Sequence, residues 1–135
     1  MAIKEVKKAI RTRLNALTPK LPTAFEGIDF VAPDGMYQRL QFVVNPPTDP
    51  TFGTYFYREN VEVQIFVADK LGSGTTAAEE RAELLRDWFD KGLTLTEGNI
   101  RMHVLRTPHV SAAAVAADRI IVPVLISVIA EVYEQ

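Results

Sequence analysis

Ile3, Val6, Ile10, Leu14 and Leu17 recur at three- and four-residue steps, with Lys4, Lys7, Lys8, Arg11 and Arg13 between them. That period predicts a helix with one buried stripe and a basic, solvated side, ended before Pro19. Residues 19–35 read as irregular, with a short strand at 28–31 and a turn at Pro33-Asp34-Gly35. The period then becomes two. Leu40, Phe42 and Val44 alternate with Arg39 and Gln41, the pattern of a half-buried strand over 37–44. Pro46, Pro47 and Pro50 lack the amide donors a ladder needs, so the chain is expected to leave the sheet at Asn45 in an exposed connection reaching about Tyr55.

A second alternating run, 57–67, places Val61, Val63, Ile65 and Val67 on one face and Glu62, Gln64 and Phe66 on the other. Residues 68–71 lead from it to Gly72-Ser73-Gly74-Thr75-Thr76. A helix is predicted from there, with Thr76 as its cap and Glu79 completing a capping box. Ala78, Ala82, Leu85 and Phe89 form its apolar stripe, widened by Leu84 and Trp88, while Glu80, Arg81, Glu83 and Asp87 form the wet side. Gly92 is the expected stop. Residues 93–95 and 100–105 flank the turn Thr96-Glu97-Gly98-Asn99 and predict a hairpin. The alanine-rich residues 110–117 fit either a short helix or a loop. Residues 119–133 form the longest and most apolar strand, with both faces largely hydrophobic and therefore expected to be covered. Pro123 argues against a fully paired central position and points to a bulge, or to an edge reached from one side only.

Composition narrows the function more than it identifies it. The 135 residues fit one domain, 1–135, burying about 68% of its unfolded-chain surface. With 47% hydrophobic and 24% charged residues the chain is an ordinary globular mixture, not a disordered one. A net charge of −2 argues against strong non-specific binding to nucleic acid. The absence of cysteine removes disulfides, thiol catalysis and thiolate metal sites, and fits a reducing compartment. The first eight residues interleave charge with apolar positions, unlike a signal peptide, and the apolar run 120–130 is too short to span a bilayer as a helix. A soluble, intracellular chain without a membrane partner is expected.

Gly72 to Ala77 matches the dinucleotide pattern G-x-G-x-x-A, and Glu97 follows about twenty residues later. The context opposes it. Four residues separate strand from glycine, Glu97 falls in a turn, the strand alternates with polar residues, and the chain is too short for a second nucleotide-binding half. A GxxxxGK[ST] loop is absent. His103 and His109, even with Asp118 and Glu131, lack metal-ligand spacing. Ser111, His109 and Asp118 lack a nucleophile elbow, and Glu79-Glu80 reads as solvated helix surface. Phe52, Tyr55, Phe56 and Tyr57 cluster beside the proline loop with only Arg58 as an interleaved cation, which suits core return or a protein contact better than base stacking. No catalytic, cofactor-binding or metal-binding residue is assigned, and no enzyme is expected.

The order of features carries more than any one of them. After the N-terminal helix come Tyr37-Gln38-Arg39-Leu40-Gln41-Phe42 and the proline loop, then Glu62-Val63-Gln64-Ile65-Phe66-Val67. Lys70-Leu71-Gly72-Ser73-Gly74-Thr75 leads to Leu84-Leu85-Arg86-Asp87-Trp88-Phe89, and Arg119-Ile120-Ile121-Val122-Pro123-Val124 opens the last strand. Over almost the whole chain this order resembles the bacteriophage tail terminator (tail completion) family. The Lys-x-Gly-x-Gly-Thr turn and the Arg-x-x-Val-Pro-Val strand are its more distinctive pieces. The resemblance implies an α+β fold of the lambda-type tail terminator kind: a mixed, largely antiparallel β-sheet with two amphipathic helices packed on it. It implies a structural role without a cofactor, as a six-fold ring that caps the finished tail tube, ends its polymerisation and presents the head-attachment surface. The implied partners are further copies of the chain, the tail tube protein and a head connector or neck protein, with duplex DNA only as passing cargo. The implied place is the virion tail, assembled in the host bacterial cytoplasm. No site residues come with the resemblance. Exposure and composition make Phe52, Tyr55, Phe56, Tyr57, Val110 and Val115 the candidates for a subunit or tail interface. Two other readings are a head–tail connector or neck completion protein, and a small nucleotide- or metal-binding enzyme built on residues 72–77 or the histidines.

Overall fold

In the computed structural model, residues 3–50, 56–72 and 74–133 are described. Two long strands, β3 (Phe56–Lys70) and β8 (Arg119–Tyr133), pair antiparallel along their whole length, from Phe56↔Tyr133 to Lys70↔Arg119. Their period-two patterns come into phase there. Val61↔Val128, Val63↔Ile126, Ile65↔Val124 and Val67↔Val122 put eight buried side chains on one face. β2 (Tyr37–Thr48) adds antiparallel to β3, and the two-residue β1 (Thr23–Ala24) adds parallel to β2. Along its other edge β8 meets β7 (Ala114–Ala116), β6 (His109–Val110) and β5 (Ile100–Val104) in succession, and β4 (Thr94–Glu97) pairs with β5. The result is an α+β fold with a mixed, largely antiparallel sheet of eight strands.

Both helices pack on the face that those valines and isoleucines share. α1 (Ile3–Asn15) buries Val6, Ala9, Ile10 and Leu14 and lies over β4 and β5; Leu17 is buried just beyond its end. α2 (Thr76–Trp88) buries Ala78, Ala82 and Leu85 and, with Phe89 just past its end, lies over β3, β6 and β8. Full burial of a side chain such as Leu85 or Phe89 contributes roughly 1.5–3 kcal/mol. The capping residue is Thr75 rather than Thr76. Its carbonyl accepts Glu79 N at 3.0 Å, and its hydroxyl donates to the Glu79 carboxylate at 2.6 Å. The helix ends with Phe89 as its C-cap, and Gly92, with φ of 86°, serves the following turn instead. β4 and β5 form the expected hairpin, closed more tightly on Gly98-Asn99. Positive φ at the first turn position alone is the II′ pattern.

Several expectations need correction. Residues 28–31 form no strand, and Ile28 and Val31 are 64% and 92% exposed; the short strand is Thr23–Ala24. β2 does not leave the sheet at Asn45. It continues to Thr48, with Pro46 and Pro47 bulged opposite Glu59 between the Asn45↔Asn60 and Thr48↔Arg58 pairs. The Asn60 amide donates to Pro46 O at 3.0 Å and Thr48 Oγ1 at 2.9 Å, bridging the bulge. Among the described residues β2 has no strand on its outer edge there, and with both prolines in the bulge the missing amides interrupt no ladder. β8 is central rather than an edge. Pro123 pairs with Phe66 on one side, while on the other its carbonyl accepts Ser111 N at 2.9 Å in the gap between β6 and β7. Its absent N–H falls where no strand asks for one. Only one face of β8 is buried; Ile121, Pro123, Leu125 and Ile129 on the other are half-exposed, with no helix over them among the described residues. Residues 110–117 resolve into the short strands β6 and β7 with a link between them, neither helix nor simple loop.

Arg81 overturns the reading of α2's wet side: it is only 5% exposed. Its guanidinium donates to Pro19 O at 2.6 Å and to Gln38 Oε1 at 3.3 Å. The Gln38 amide passes on to Thr23 Oγ1 at 3.0 Å, and Thr23 Oγ1 donates to Leu21 O at 3.1 Å. Burial holds Arg81 below the usual arginine pKa. A second arginine ties the two helices. Arg13 donates to Trp88 O at 2.9 Å, Trp88 Nε1 donates to Arg13 O at 2.7 Å, and the guanidinium lies 3.8 Å from the indole centroid. This cation sits at the C-terminal carbonyl of α2, where the helix dipole favours it, although burial lowers its pKa too.

Two stability outcomes follow. Arg81→Ala leaves two acceptors without their donor and lowers stability by about 2–3 kcal/mol in urea denaturation, whereas Glu83→Ala on the exposed side changes it by less than about 0.5 kcal/mol. Ala117, in the turn joining β7 to β8, has a φ of 54° that favours glycine. Ala117→Gly relieves about 1–2 kcal/mol of backbone strain against an unfolded-state penalty of about 0.4–1 kcal/mol, so the denaturation midpoint is expected to rise.

Candidate interaction surfaces

The glycine turn delivers α2 and does little else. Gly72 and Gly74 have φ of 98° and 80°, and open space surrounds the position of a Cβ at either. β3 runs on to Lys70, so only Leu71 separates it from Gly72, not the expected four residues. The stronger objection is topological. β3 lies between two antiparallel neighbours, β2 and β8, whereas the dinucleotide fingerprint works at the C-terminal end of parallel strands. Glu97 sits at the end of β4, paired with Lys8 at 3.5 Å.

The histidines stand apart. His103 on β5 lies 3.0 Å from Thr94 Oγ1 through Nδ1 and 3.5 Å from Glu131 Oε1 through Nε2. His109 opens β6 and pairs with Leu125, four rungs or about 13 Å along β8 from His103's partner Ile129. Asp118, in the β7–β8 turn, lies beyond Arg119, at least six rungs or about 20 Å from Leu125. The Ser111, His109 and Asp118 set is therefore not brought together. Among the described residues no group of three or more His, Asp or Glu is placed to hold a metal.

The interface candidates divide. Phe52 and Tyr55 lie outside the described residues. Phe56 is half-buried, stacked at 4.7 Å on Tyr133, with Arg58 5.4 Å from its ring centroid. Tyr57 and Val110 turn toward the core and pack against it. Val115 is 67% exposed.

The register defines a broad surface that the sequence pattern did not single out. On the sheet face away from the helices, Arg39, Gln41, Gln64, Phe66, Pro123 and Leu125 form adjoining rows. Lys70 and Arg119 lie at one end, Arg58 and Arg101 at the other. The signal was present: each of these cations occupies a strand position one removed from a buried residue. At the Arg119 end the guanidinium donates to Gly35 O at 2.7 Å and to Pro33 O, pinning the preceding turn, and lies 5.1 Å from the Tyr37 ring centroid. On the opposite side, α2 exposes Glu79, Glu80, Glu83, Leu84 and Asp87. An open groove of about 590 Å³ runs along β2, lined by residues 24–29 and 39–42. Within it Glu26 accepts Phe42 N at 2.9 Å and pairs with Lys7 at 3.0 Å, occupying the outer edge of β2 with a carboxylate.

The chain is a small α+β protein with open grooves and broad faces of mixed polarity. A family model described as phage tail terminator protein matches residues 5–127, and the chain belongs to that family, a family of structural proteins. A solved structure of a protein named by a sequence code alone shares 22% identity over 100% of this chain and 99% of its own, with a TM-score of 0.78, which establishes likeness of fold. No curated protein matches the chain. No helix among the described residues is long and apolar enough to cross a membrane.

Calorimetric titration with NAD or ATP is expected to show no saturable binding at micromolar concentrations. Saturable heat that Gly74→Val abolishes would restore the nucleotide site and overturn a purely surface-borne role.

Proposed function

We propose that residues 1–135 act as a single domain that caps the phage tail tube as a six-fold ring, ends tube polymerisation and presents the surface to which the head connector attaches. The observation that carries this reading is the family match over residues 5–127. Its partners are further copies of the chain, the tail tube protein and a head connector or neck protein, with duplex DNA as passing cargo. It acts in the virion tail after assembly in the bacterial cytoplasm, without a cofactor.

Size supports the ring. A body of 135 residues has a radius of gyration of about 14 Å and a diameter of about 37 Å. Six such bodies in contact leave a central opening about one subunit wide, sufficient for a duplex. A net charge of −2 suits a passage that lets phosphates by without gripping them.

Electron microscopy of tails assembled with and without the chain tests the proposal. Tubes of uncontrolled length in its absence are expected; tubes that still stop at one length would sink it. Binding of purified chain to the head connector but not to the tail tube would reassign it as a neck completion protein.

A further inference from the structure

Two patches on opposite sides of the sheet differ in charge: the open sheet face has an excess of cations, and the exposed side of α2 is acidic. On the open sheet face Arg39, Lys70 and Arg101 are exposed and make no ion pair among the described residues. They bracket a centre made by Gln64, Phe66, Pro123 and Leu125. The same face holds two half-exposed carboxylates, Glu62 beside Gln64 and Glu131 between Arg58 and Arg101, and with Arg58 and Arg119 counted it keeps an excess of cations. On the far side, α2 surrounds Leu84, itself 37% exposed, with Glu80, Glu83 and Asp87, none of them in an ion pair. That helix side has no exposed cation to neutralise it, because Arg81 is drawn into the core and half-buried Arg86 donates to Pro108 O at 3.1 Å.

We propose that the acidic side of α2 in one copy seats on the open sheet face of the next, an inference that rests on the ring reading above. Each surface has an apolar or neutral centre inside a charged rim, the anatomy of a protein interface, and the two rims have opposite sign. Like surfaces repel, so the contact is heterologous. The two surfaces are different patches on one subunit, as a head-to-tail ring requires, and the ring closes where each contact turns one copy by about 60° relative to the last. Dimensions agree. Glu79 and Asp87 are about 12 Å apart along the helix axis. The β8 rungs of Arg39 and Arg101 are about 26 Å apart. Laid along the strands, the helix leaves about 7 Å at each end, which a glutamate and an arginine extended toward each other span. The basic side of α1 competes poorly as the acceptor. Three of its five cations are engaged, Lys7 with Glu26, Lys8 with Glu97 and Arg13 with Trp88, which leaves Lys4 and Arg11 in no ion pair among the described residues.

The cysteine-free chain permits a direct test. Tails carrying Leu84→Cys and Leu125→Cys in one chain are expected, on oxidation, to give a ladder of covalent multimers, while either substitution alone gives monomers only. No ladder from the double variant, or cross-linking of Leu84→Cys to Lys8→Cys instead, overturns the interface. Charge reversal supplies the second arm. Glu80→Arg with Glu83→Arg, or Arg39→Glu with Arg101→Glu, is expected to lower the amount of chain on purified tails about tenfold, and the four together to recover most of it. If wild-type chain is present on tails but the combined variant does no better than either pair, the interface fails and the ring stands. If wild-type chain is absent from tail ends, the ring itself fails.

Discussion

The antiparallel ladder of β3 on β8 is the constraint on which the rest depends. All fifteen residues of each strand are paired, and the alternation on both is strict enough to allow one register. With β8 held in place, a slip of β3 by one residue would drive Glu62 and Gln64 into the core and turn Val63 and Ile65 out to water. Helix placement follows from the same rows, since α1 and α2 have only the valine and isoleucine face on which to bury their stripes. The opposite face is left half-exposed by that arrangement.

Where residues interact with near neighbours, the sequence was legible. The three- and four-residue step of Val6, Ile10 and Leu14 gave α1, the alternation of Val61 to Val67 gave β3, and Gly98-Asn99 marked the hairpin. Where the partner lies far along the chain, local pattern misled. Arg81 stands on the buried stripe by spacing, between Ala78 and Leu85, but its charge argued for water; the acceptors that make its burial tolerable come from Pro19 and Gln38. β6 and β7 hold two and three residues, too few for a period, and exist because β8 offers an edge. Pro46 and Pro47 stay in the sheet because they fall in the bulge and, among the described residues, no strand pairs with the outer edge of β2 there. Ile28 and Val31 are apolar without a place in the core. The candidate aromatics Phe52, Tyr55, Phe56 and Tyr57 were visible as composition, but the open face assembles residues from β2, β3, β5 and β8 and needs the register before it can be seen.

Two arginines, buried Arg81 and half-buried Arg13, link core to surface. Each is held by carbonyl or amide oxygens and keeps a buried Nε–H without an acceptor among the described residues. Paired carboxylates would have balanced the charge more fully. What the arrangement fixes is the rotation of α2 about its axis: Arg81 anchors one turn to the segment before β1, and Trp88 anchors the end to α1. With that rotation set, Glu80, Glu83 and Asp87 face outward together.

The central strand of the sheet comes last in chain order among the ten elements. Its pairings with β3 join residues roughly fifty to eighty positions apart, a high contact order that slows folding because loop closure precedes any reward. During vectorial synthesis, both helices and the β4–β5 hairpin emerge before the strand they flank. The β2–β3 pair meanwhile waits with a long apolar edge unfilled. A nascent chain halted before Arg119 lacks the strand that joins β3 to β5, and so offers the two helix stripes only separate parts of their platform. The core face is therefore completed only by the last strand made, and a chain that stops short of it leaves the stripes of both helices partly in water.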